Sequence, residues 1–425
     1  MATEGTHALQ QPQQATVALP ASAPAPRRVW WDLRRAPAAL RHLRISARAG
    51  FGRMLARLPR AHASAATLSA EQIKSVLICR VNARMGNALF LTPLIEQLHE
   101  LLPEAAIDVA TAYPQATDLL GELPGVRRVI VFPSRGIQLP WRYLQALTQI
   151  RAQRYDLAID PMPNSTSARI VLSLCRARER LGFGSEHQWA RLTHAVPEAL
   201  MPAHRAIQPV FLLHRALGVA HQPTGLRLRN AGGAREQAQG RALIEQALRR
   251  RGIEPQDAQT VGFFAHATGA KSFDRQYWLK FWTRFRQLAP EAVPVEFLPT
   301  PTSAPTDARF AALHVRTPQR LAAAMGEMRM FVSADTGPMH LASSTAVPTV
   351  ALFRASQPAL YGPLKPCDLA LDAARHSPAA MAQLCYEHWL RTRGSAKSCA
   401  HLHPERPEEP GPARSAPQLV SLIKP

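Results

Sequence analysis

The sequence has 425 residues, 46% of them apolar, and a formal net charge of +21 at pH 7. A chain of that length is too long for one ordinary hydrophobic core and suits two domains. The sequence contains no uncharged apolar run of about 18 residues, so it predicts no membrane-spanning helix. The positive charge suits an anionic partner, which could be nucleic acid, anionic lipid or a phosphorylated glycan. The alternative is that a GC-rich genome, which encodes arginine in place of lysine, accounts for much of the excess. The five cysteines have no CxxC spacing, so the sequence predicts no zinc site.

Residues 1–70 are predicted to form a disordered, basic arm. Residues 1–26 are rich in Ala, Pro and Gln and lack the features of a secretory signal, which favours a cytoplasmic protein. Residues 27–60 interleave ten arginines with two tryptophans and several aliphatic residues. This composition suits the headgroup layer of an anionic membrane. Because Pro37 and Gly50 interrupt the helical spacing, the alternative is a solvated arm that packs on the folded body.

Strands alternating with helices are predicted for an N-terminal domain over residues 71–220. The apolar run 74–80 predicts the first strand, and apolar residues at helical spacing predict a helix over 88–102. Later strands are predicted from the runs AIDVAT, RRVIVF, YDLAID and RERLGF. Such alternation predicts an α/β fold with a doubly wound parallel sheet that is covered on both faces.

Residues 221–258 are predicted to be a linker, made of a polar loop and a charged helix over 235–251. The alternation then resumes over residues 259–393, and residues 394–425 are predicted to be a disordered tail. Strands of this second domain are predicted from TVGFF, PVEFLP, LHV, RMFVSA and PTVALF. Two such domains imply a cleft between the carboxyl ends of two sheets, where ligands bind and helix N-termini present free N–H groups.

The segment VSADTGPMHLASSTAVPTVALF, residues 332–353, is the most specific motif in the chain. A strand-to-helix turn is predicted from Asp335, Thr336, Gly337, Pro338 and His340. Proline at the first helical position and a turn rich in N–H groups suit a bound phosphate, and Asp335 could accept hydrogen bonds from sugar hydroxyls. The alternative is that Asp335 caps the helix and His340 packs against the sheet.

This motif resembles the signature of glycosyltransferase family 9, the heptosyltransferases. VLICRVNARMGNALFLTPL resembles the opening of the family's first domain, and FFAHATGAKSFDRQYW resembles the opening of its second, so the resemblance spans about residues 74–365. It implies a GT-B fold, in which two Rossmann-like domains face each other across a cleft. It also implies a nucleotide-sugar donor such as ADP-heptose, a lipopolysaccharide inner-core acceptor, inversion at the anomeric carbon, and no metal or other cofactor.

The resemblance also implies site residues on the donor side. The family brings a threonine and a lysine to the donor diphosphate, and the matching residues are Thr268 and Lys271. A lysine there would offset charge that builds on the leaving nucleotide, although an ordinary surface lysine is the alternative. The remaining donor-binding residues implied by the motif are Asp335, Thr336, Gly337 and His340.

The sequence departs from the family in the first loop. The family's loop ends in Gly-Asp, whose carboxylate is the expected base, whereas this chain has Gly86 and Asn87 in a loop one residue longer. Asparagine does not take a proton at neutral pH, although it can orient a hydroxyl. Three explanations stay open. Another strand-end carboxylate could serve, with candidates Asp108, Asp160 and Asp335; positioning and electrostatics could suffice; or the chain could be a catalytically impaired glycan- or nucleotide-binding protein.

Two smaller departures concern the donor side and the partners. A strand that usually ends in Leu-Phe-Gly here ends in Phe353 and Arg354, which predicts an arginine near the cleft, and a Gly-Gly-x-x-Glu element for the ribose is missing. A nucleic-acid binder is suggested only by charge, since no zinc spacing, RNP-type motif or basic heptad helix occurs. We therefore expect no nucleic-acid partner and a cytoplasmic protein, peripheral at the inner face of the inner membrane.

Overall fold

The computed structural model describes residues 67–134, 139–163, 165–184, 191–220, 224–256 and 258–392. The predicted membrane-binding segment 27–60 and the predicted tail 394–425 lie outside these residues. Within the described ranges, every helix is too short or too polar to cross a bilayer.

The first part of the described chain forms a parallel sheet of six strands. Its strands are β1 (Ser75–Arg80), β2 (Ala106–Thr111), β3 (Val126–Val131), β4 (Arg154–Asp160), β5 (Arg176–Gly184) and β6 (His194–Pro197). Its helices are α1 (Met85–Leu89), α2 (Thr92–Leu101), α3 (Ala116–Leu120), α4 (Pro140–Arg151), α5 (Thr166–Leu174) and α6 (Gln208–Leu217). The strand order is β3-β2-β1-β4-β5-β6, so the winding direction reverses between β1 and β4.

The second part forms another parallel sheet of six strands within the described residues. Its strands are β7 (Gln259–Phe264), β8 (Ala292–Phe297), β9 (Ala311–Leu313), β10 (Met330–Ala334), β11 (Thr349–Phe353) and β12 (Leu369–Asp372). Its helices are α7 (Ala234–Arg249), α8 (Arg275–Leu288), α9 (Pro318–Gly326), α10 (Gly337–Ser343), α11 (Pro358–Tyr361) and α12 (Pro378–Thr392). Read from β9, the order repeats that of the first sheet, with its reversal between β7 and β10. The prediction of two Rossmann-like, doubly wound parallel sheets is confirmed.

Burial explains why these segments read as apolar runs rather than as alternating patterns. Every residue of β10 and β11 is buried, as expected for central parallel strands covered by helices on both faces. On one face of the second sheet, α8 contributes four buried aromatic side chains at helical spacing, namely Trp278, Phe281, Trp282 and Phe285. They pack with Trp389 of α12 in one apolar cluster, which fixes the sheet that carries β10.

The helix predicted over 88–102 is two helices, and proline explains the break. Pro93 lies in the first turn of α2, where a missing N–H group is tolerated, and Leu91 is the residue before the helix. The hydroxyl of Thr92 donates a hydrogen bond of 2.8 Å to the carbonyl of Leu89 across the break. The break therefore allows the axis of the short helix α1 to differ in direction from that of α2.

Part of the segment expected to be a linker contacts helices of both sheets. The amide of Arg229 donates to the hydroxyl of Thr92 at 2.9 Å, and its guanidinium pairs with Glu96 on α2. The adjacent side-chain amide of Asn230 donates to the carbonyl of Ser344 at 2.9 Å, just after α10. Helix α7, which follows, packs against α9 beside the second sheet.

The carboxyl edges of the two sheets face each other. Helix α1 follows β1, α10 follows β10, and the two helices are in contact. The rings of Phe90 and His340 meet edge to face with centroids 4.6 Å apart. A third contact joins His204 Nε2 to the carbonyl oxygen of Gly362 over 2.8 Å. The loops at the two reversal points, where ligands of such sheets bind, therefore lie together.

Candidate active site

Asp335 follows the last residue of β10 and is buried, with 4% of its surface exposed. Its Oδ2 accepts hydrogen bonds from Lys271 Nζ and from the hydroxyl of Ser356. Its Oδ1 lies 3.6 Å from His340 Nε2. The N-cap residue of α10 is Thr336, whose side chain makes no cap hydrogen bond, and the carboxylate of Asp335 bonds to Lys271 and Ser356.

The carboxyl of Asp335 stays ionised because its partners outweigh its burial. Burial by itself raises its pKa, whereas the hydrogen bonds from His340, Lys271 and Ser356 lower it, to about 2. A carboxylate held in this way is a strong hydrogen-bond acceptor and a poor proton acceptor at neutral pH. It is therefore suited to orienting hydroxyl groups or cations, and not to removing a proton.

Lys271 reaches Asp335 from the loop after β7. Gly269 has a φ of 64°, a left-handed conformation that glycine adopts without strain and that starts the 3-10 turn Gly269–Lys271. Lys271 Nζ lies 5.3 Å from the ring centroid of Tyr361 on α11. The other predicted residue of this loop, Thr268, is exposed at the start of the turn. The loop thus brings one cation into the site and leaves the threonine at its rim.

The first turn of α10 has the remaining motif residues. The helix begins at Gly337, and the hydroxyl of Thr336 donates to the carbonyl of Ala334 at 3.2 Å instead of capping it. Met85 of α1 lies beside Gly337, so the first loop partly covers this turn. His340 is buried, and its Nδ1 has no hydrogen-bond partner within the described parts of the chain.

On the opposite side, the loop after β1 orients Asn87 through a residue that the sequence did not single out. The side-chain amide of Asn87 donates to Oδ1 of Asn82 over 2.7 Å, and the backbone amide of Arg84 donates to the same oxygen over 3.0 Å. With its NH₂ group committed to Asn82, Asn87 has its carbonyl oxygen left to accept a hydrogen bond. An asparagine close to a glycine-containing turn was the available signal for Asn82.

Gly86, on helix α1, lies against His340 of α10. An ideal Cβ at position 86 would lie 2.8 Å from His340 Cδ2, closer than side chains pack. The absence of a side chain therefore allows α1 to approach α10. In this way the structure brings Gly86, His340 and Asp335 together.

The three carboxylates proposed as alternative bases are each held by cations. Asp108 is the third residue of β2, so the expectation that it ends a strand is wrong; it bonds to Arg127 Nε at 2.9 Å and to Tyr155 Oη at 2.7 Å. Asp160 does end β4, but it is fully buried and paired with Arg169. Burial raises the pKa of Asp160 to about 6, against the opposing effect of the arginine. Asp335 is engaged as described above.

Arg354 lies at the edge of the site. It follows β11 and is exposed, and its Nη1 donates to the carbonyl oxygen of Ser272 over 2.6 Å. Its Cζ lies 5.7 Å from the ring centroid of Phe273. The arginine therefore braces the loop that holds Lys271, with further N–H groups available to a ligand. Nearby Ser356 was missed because its contact with Asp335 depends on tertiary structure.

No cluster of three or more His, Cys, Asp or Glu side chains suitable for a metal ion occurs in the part of the chain that the structure describes. Independence from metal ions stays a prediction, as does each residue's part in binding a donor.

Two parallel sheets of this strand order that face each other at their carboxyl edges form the GT-B fold. The family model described as glycosyltransferase family 9 (heptosyltransferase) matches residues 317–389, which include α10. A search of curated proteins found no match. Over these residues the chain is similar to glycosyltransferase family 9.

Solved structures share this fold over most of the chain. A family 9 glycosyltransferase from Veillonella parvula is 18% identical with a TM-score of 0.61, covering 75% of this chain and 97% of that one. The E. coli heptosyltransferase WaaC with ADP is 17% identical with a TM-score of 0.56, covering 74% and 99%. E. coli ADP-heptose lipopolysaccharide heptosyltransferase II is 17% identical with a TM-score of 0.58, covering 75% and 99%.

Proposed function

We propose that this glycosyltransferase moves a heptose from a nucleotide-sugar donor, ADP-heptose, to the inner core of lipopolysaccharide with inversion of the anomeric carbon. The observation that carries the proposal is the placement of Asp335 and Lys271 at the start of α10, opposite Asn87. The names of the E. coli structures, which refer to ADP and to ADP-heptose, support this donor. We assign acceptor binding to residues 71–220 and donor binding to residues 259–393, joined by the linker 221–258.

Donor binding would use the ionic contacts already present. The side chain of Lys271 is 34% exposed and can turn from Asp335 toward a diphosphate. The diphosphate would then replace Asp335 as the negatively charged partner of the lysine ammonium group. The backbone amides at Thr336 and Gly337 add hydrogen-bond donors at the positive end of a helix. Asp335 would then accept hydrogen bonds from sugar hydroxyls while His340 and Ser356 hold it in place.

The reaction would be a direct displacement. The acceptor oxygen forms a bond to the anomeric carbon as the bond from that carbon to the diphosphate breaks, and the electron pair leaves with the nucleotide. The carbonyl oxygen of Asn87 would hold the attacking hydroxyl by accepting its hydrogen bond, and the proton would pass to solvent. Because an amide does not take the proton, positioning and charge stabilisation by Lys271 would supply most of the rate enhancement.

A glycan- or nucleotide-binding protein with impaired catalysis is the second candidate. It is favoured by Asn87 and by the engagement of Asp108, Asp160 and Asp335 with cationic partners. Both candidates bind the donor, so only turnover separates them.

A transfer assay with a matched binding measurement tests the proposal. ADP-heptose and a truncated inner-core acceptor should give a product heavier by one heptose, with the anomeric configuration opposite to the donor's by NMR. Isothermal titration with ADP should show donor-site binding. Binding without transfer to any core acceptor, unchanged in an Asn87→Asp variant, would support the binding protein instead.

Location follows from the proposed acceptor. We propose that the protein works at the inner face of the inner membrane, with the arginine- and tryptophan-containing segment 27–60 contacting anionic lipid and with no nucleic-acid partner. Deletion of residues 1–60 should then reduce sedimentation with anionic vesicles without unfolding the protein. Unchanged sedimentation would exclude this arm as an anchor.

A further inference from the structure

An exposed apolar patch lies where β3 ends and α4 begins. Trp141 and Leu144 are 62% and 59% exposed, the highest values among the large apolar side chains that the structure describes. They are three residues apart on α4 and so share one face of the helix. Val131, the last residue of β3, is also exposed, and its neighbour Phe132 packs on Tyr143 of α4 with centroids 4.9 Å apart. We call Val131, Trp141 and Leu144 the apolar patch.

The apolar patch lies on the acceptor side of the molecule. Strands β1, β2 and β3 are parallel neighbours in the first sheet, so their carboxyl ends share one edge. Helix α1, which carries Asn87, follows β1 at that edge, and the apolar patch begins where β3 ends. A surface that covered the patch would therefore lie alongside the entrance to the proposed acceptor site.

The stretch of sequence that contains the apolar patch is basic. Between residues 123 and 155 the sequence contains no aspartate or glutamate but several arginines. Arg142, next to Trp141, is exposed and forms no ion pair with any described residue. Arg151 is exposed at the far end of α4, where its guanidinium donates to the carbonyl oxygen of Leu174 at 3.0 Å.

These features favour lipid over protein as the occupant. A tryptophan and a leucine beside an exposed arginine match the boundary between headgroups and acyl chains. A second copy of this face would bring like charges together, which disfavours a symmetric dimer. We propose that the apolar patch and Arg142 contact the headgroup layer of an anionic bilayer and hold the acceptor edge of the enzyme against it. Only the benefit of this placement, access to a lipid-anchored acceptor, rests on the proposed function.

Quenching by brominated lipid tests the contact in the full chain, where segment 27–60 could also bind membranes. Vesicles of brominated phosphatidylglycerol should quench the fluorescence of the wild type more than that of Trp141→Phe. Equal quenching would overturn the proposal even if both proteins bind, because Trp141 would then lie outside the lipid. Phosphatidylcholine vesicles should give little difference, and Arg142→Ala should weaken binding to phosphatidylglycerol at least threefold.

Sedimentation gives an independent readout with a matched control. The variant Trp141→Ala/Leu144→Ala should partition to phosphatidylglycerol vesicles at least fivefold more weakly, while Leu390→Ala, which removes a leucine that is 42% exposed on α12, should not change partitioning. An unchanged melting temperature would confirm folding. If the double variant instead altered only the concentration dependence of the mass in ultracentrifugation, the patch would be a self-association surface. The double variant should transfer to a water-soluble acceptor at the wild-type rate. Vesicle partitioning is measured without any transfer reaction, so the membrane test stands even if the proposed function fails.

Discussion

The side-chain amide of Asn87 donates its hydrogen bond to Asn82, whose Oδ1 also accepts from the amide of Arg84. In the proposed mechanism the carbonyl oxygen of Asn87 is the group that accepts a hydrogen bond from the acceptor hydroxyl. Asn87→Asp would supply a proton acceptor at the same position. Because general-base catalysis contributes about 100-fold or more, we expect kcat to rise by at least about tenfold even with the unfavourable contact to Asn82.

Steady-state transfer kinetics across pH would check this. Asn87→Asp should acquire an acidic limb in its kcat profile that the wild type lacks, and Asn87→Ala should be slower than the wild type. A folded Asn87→Asp protein with the wild-type rate and pH profile would exclude position 87 from the acceptor side of the site.

Lys271 and Asp335 should each be required on the donor side. Replacing either with alanine removes one partner of a half-buried ion pair next to the start of α10. We expect transfer to fall more than tenfold, about 1.4 kcal/mol of barrier. Lys280→Ala, which removes an exposed lysine from α8, serves as the matched control and should be silent. A wild-type rate in Lys271→Ala would identify that residue as an ordinary surface lysine.

The low pKa of Asp335 predicts how stability depends on pH. The folded carboxyl has a pKa of about 2 against an ordinary value of 3.8, so the unfolded chain binds more protons between these values. Its stabilising contribution, roughly 2 kcal/mol, is therefore full above pH 4 and is lost as the pH falls toward 2. Urea unfolding at pH 6, 4 and 3 should show a smaller acid dependence in Asp335→Asn than in the wild type. Parallel curves would mean that the ionisation of Asp335 does not stabilise the fold.

Arg354 should contribute to donor affinity. Its guanidinium braces the loop after Lys271 and retains N–H groups for a phosphate. Since exposed charge contacts contribute about 1 kcal/mol or less, Arg354→Ala should raise the KM for the donor about threefold to fivefold with little change in kcat. The matched control is Arg375→Ala, which removes an exposed arginine shortly after β12 and should leave the KM for the donor unchanged. Equal KM values for both variants and the wild type would remove Arg354 from the donor site.

Transfer should survive treatment with EDTA. Lys271 supplies the positive charge beside the leaving diphosphate in the proposed mechanism, so a divalent cation is not needed to offset it. Initial rates with and without chelator measure this directly. Loss of activity on chelation, restored by magnesium, would show that a metal takes part.

The central strands could be predicted from the sequence because burial on both faces leaves unbroken apolar runs, as in β10 and β11. Edge elements could not be read so easily. Strand β12 has no fully buried residue and therefore lacks such a run. Helix α12 was overlooked although Met381, Cys385 and Trp389 recur at helical spacing and are buried. The division into α1 and α2 depends on Pro93, whose effect on the preceding residues was underestimated.

Within the site, residues adjacent in the motif were found, and their distant partners were not. Asp335 and Lys271 were singled out separately, but their ion pair and the hydrogen bond from Ser356 arise only when loops from three strands converge. Asn82 could be recognised as part of the site only from its hydrogen bond with Asn87. Asp108 was expected at the end of a strand. Because β2 begins at Ala106, Asp108 instead lies in mid-strand, where it bonds to Arg127.

Gly86 has a consequence for how this enzyme can vary or be redesigned. Because His340 Cδ2 would lie 2.8 Å from a Cβ at position 86, even alanine there would displace the His340 ring from its place beside Asp335. At position 87, one residue further, the side chain is hydrogen-bonded to Asn82 within the same domain. Substitutions at Asn87 and Asn82 would therefore act locally on the first domain, whereas enlargement at Gly86 would disturb the contact between α1 and α10.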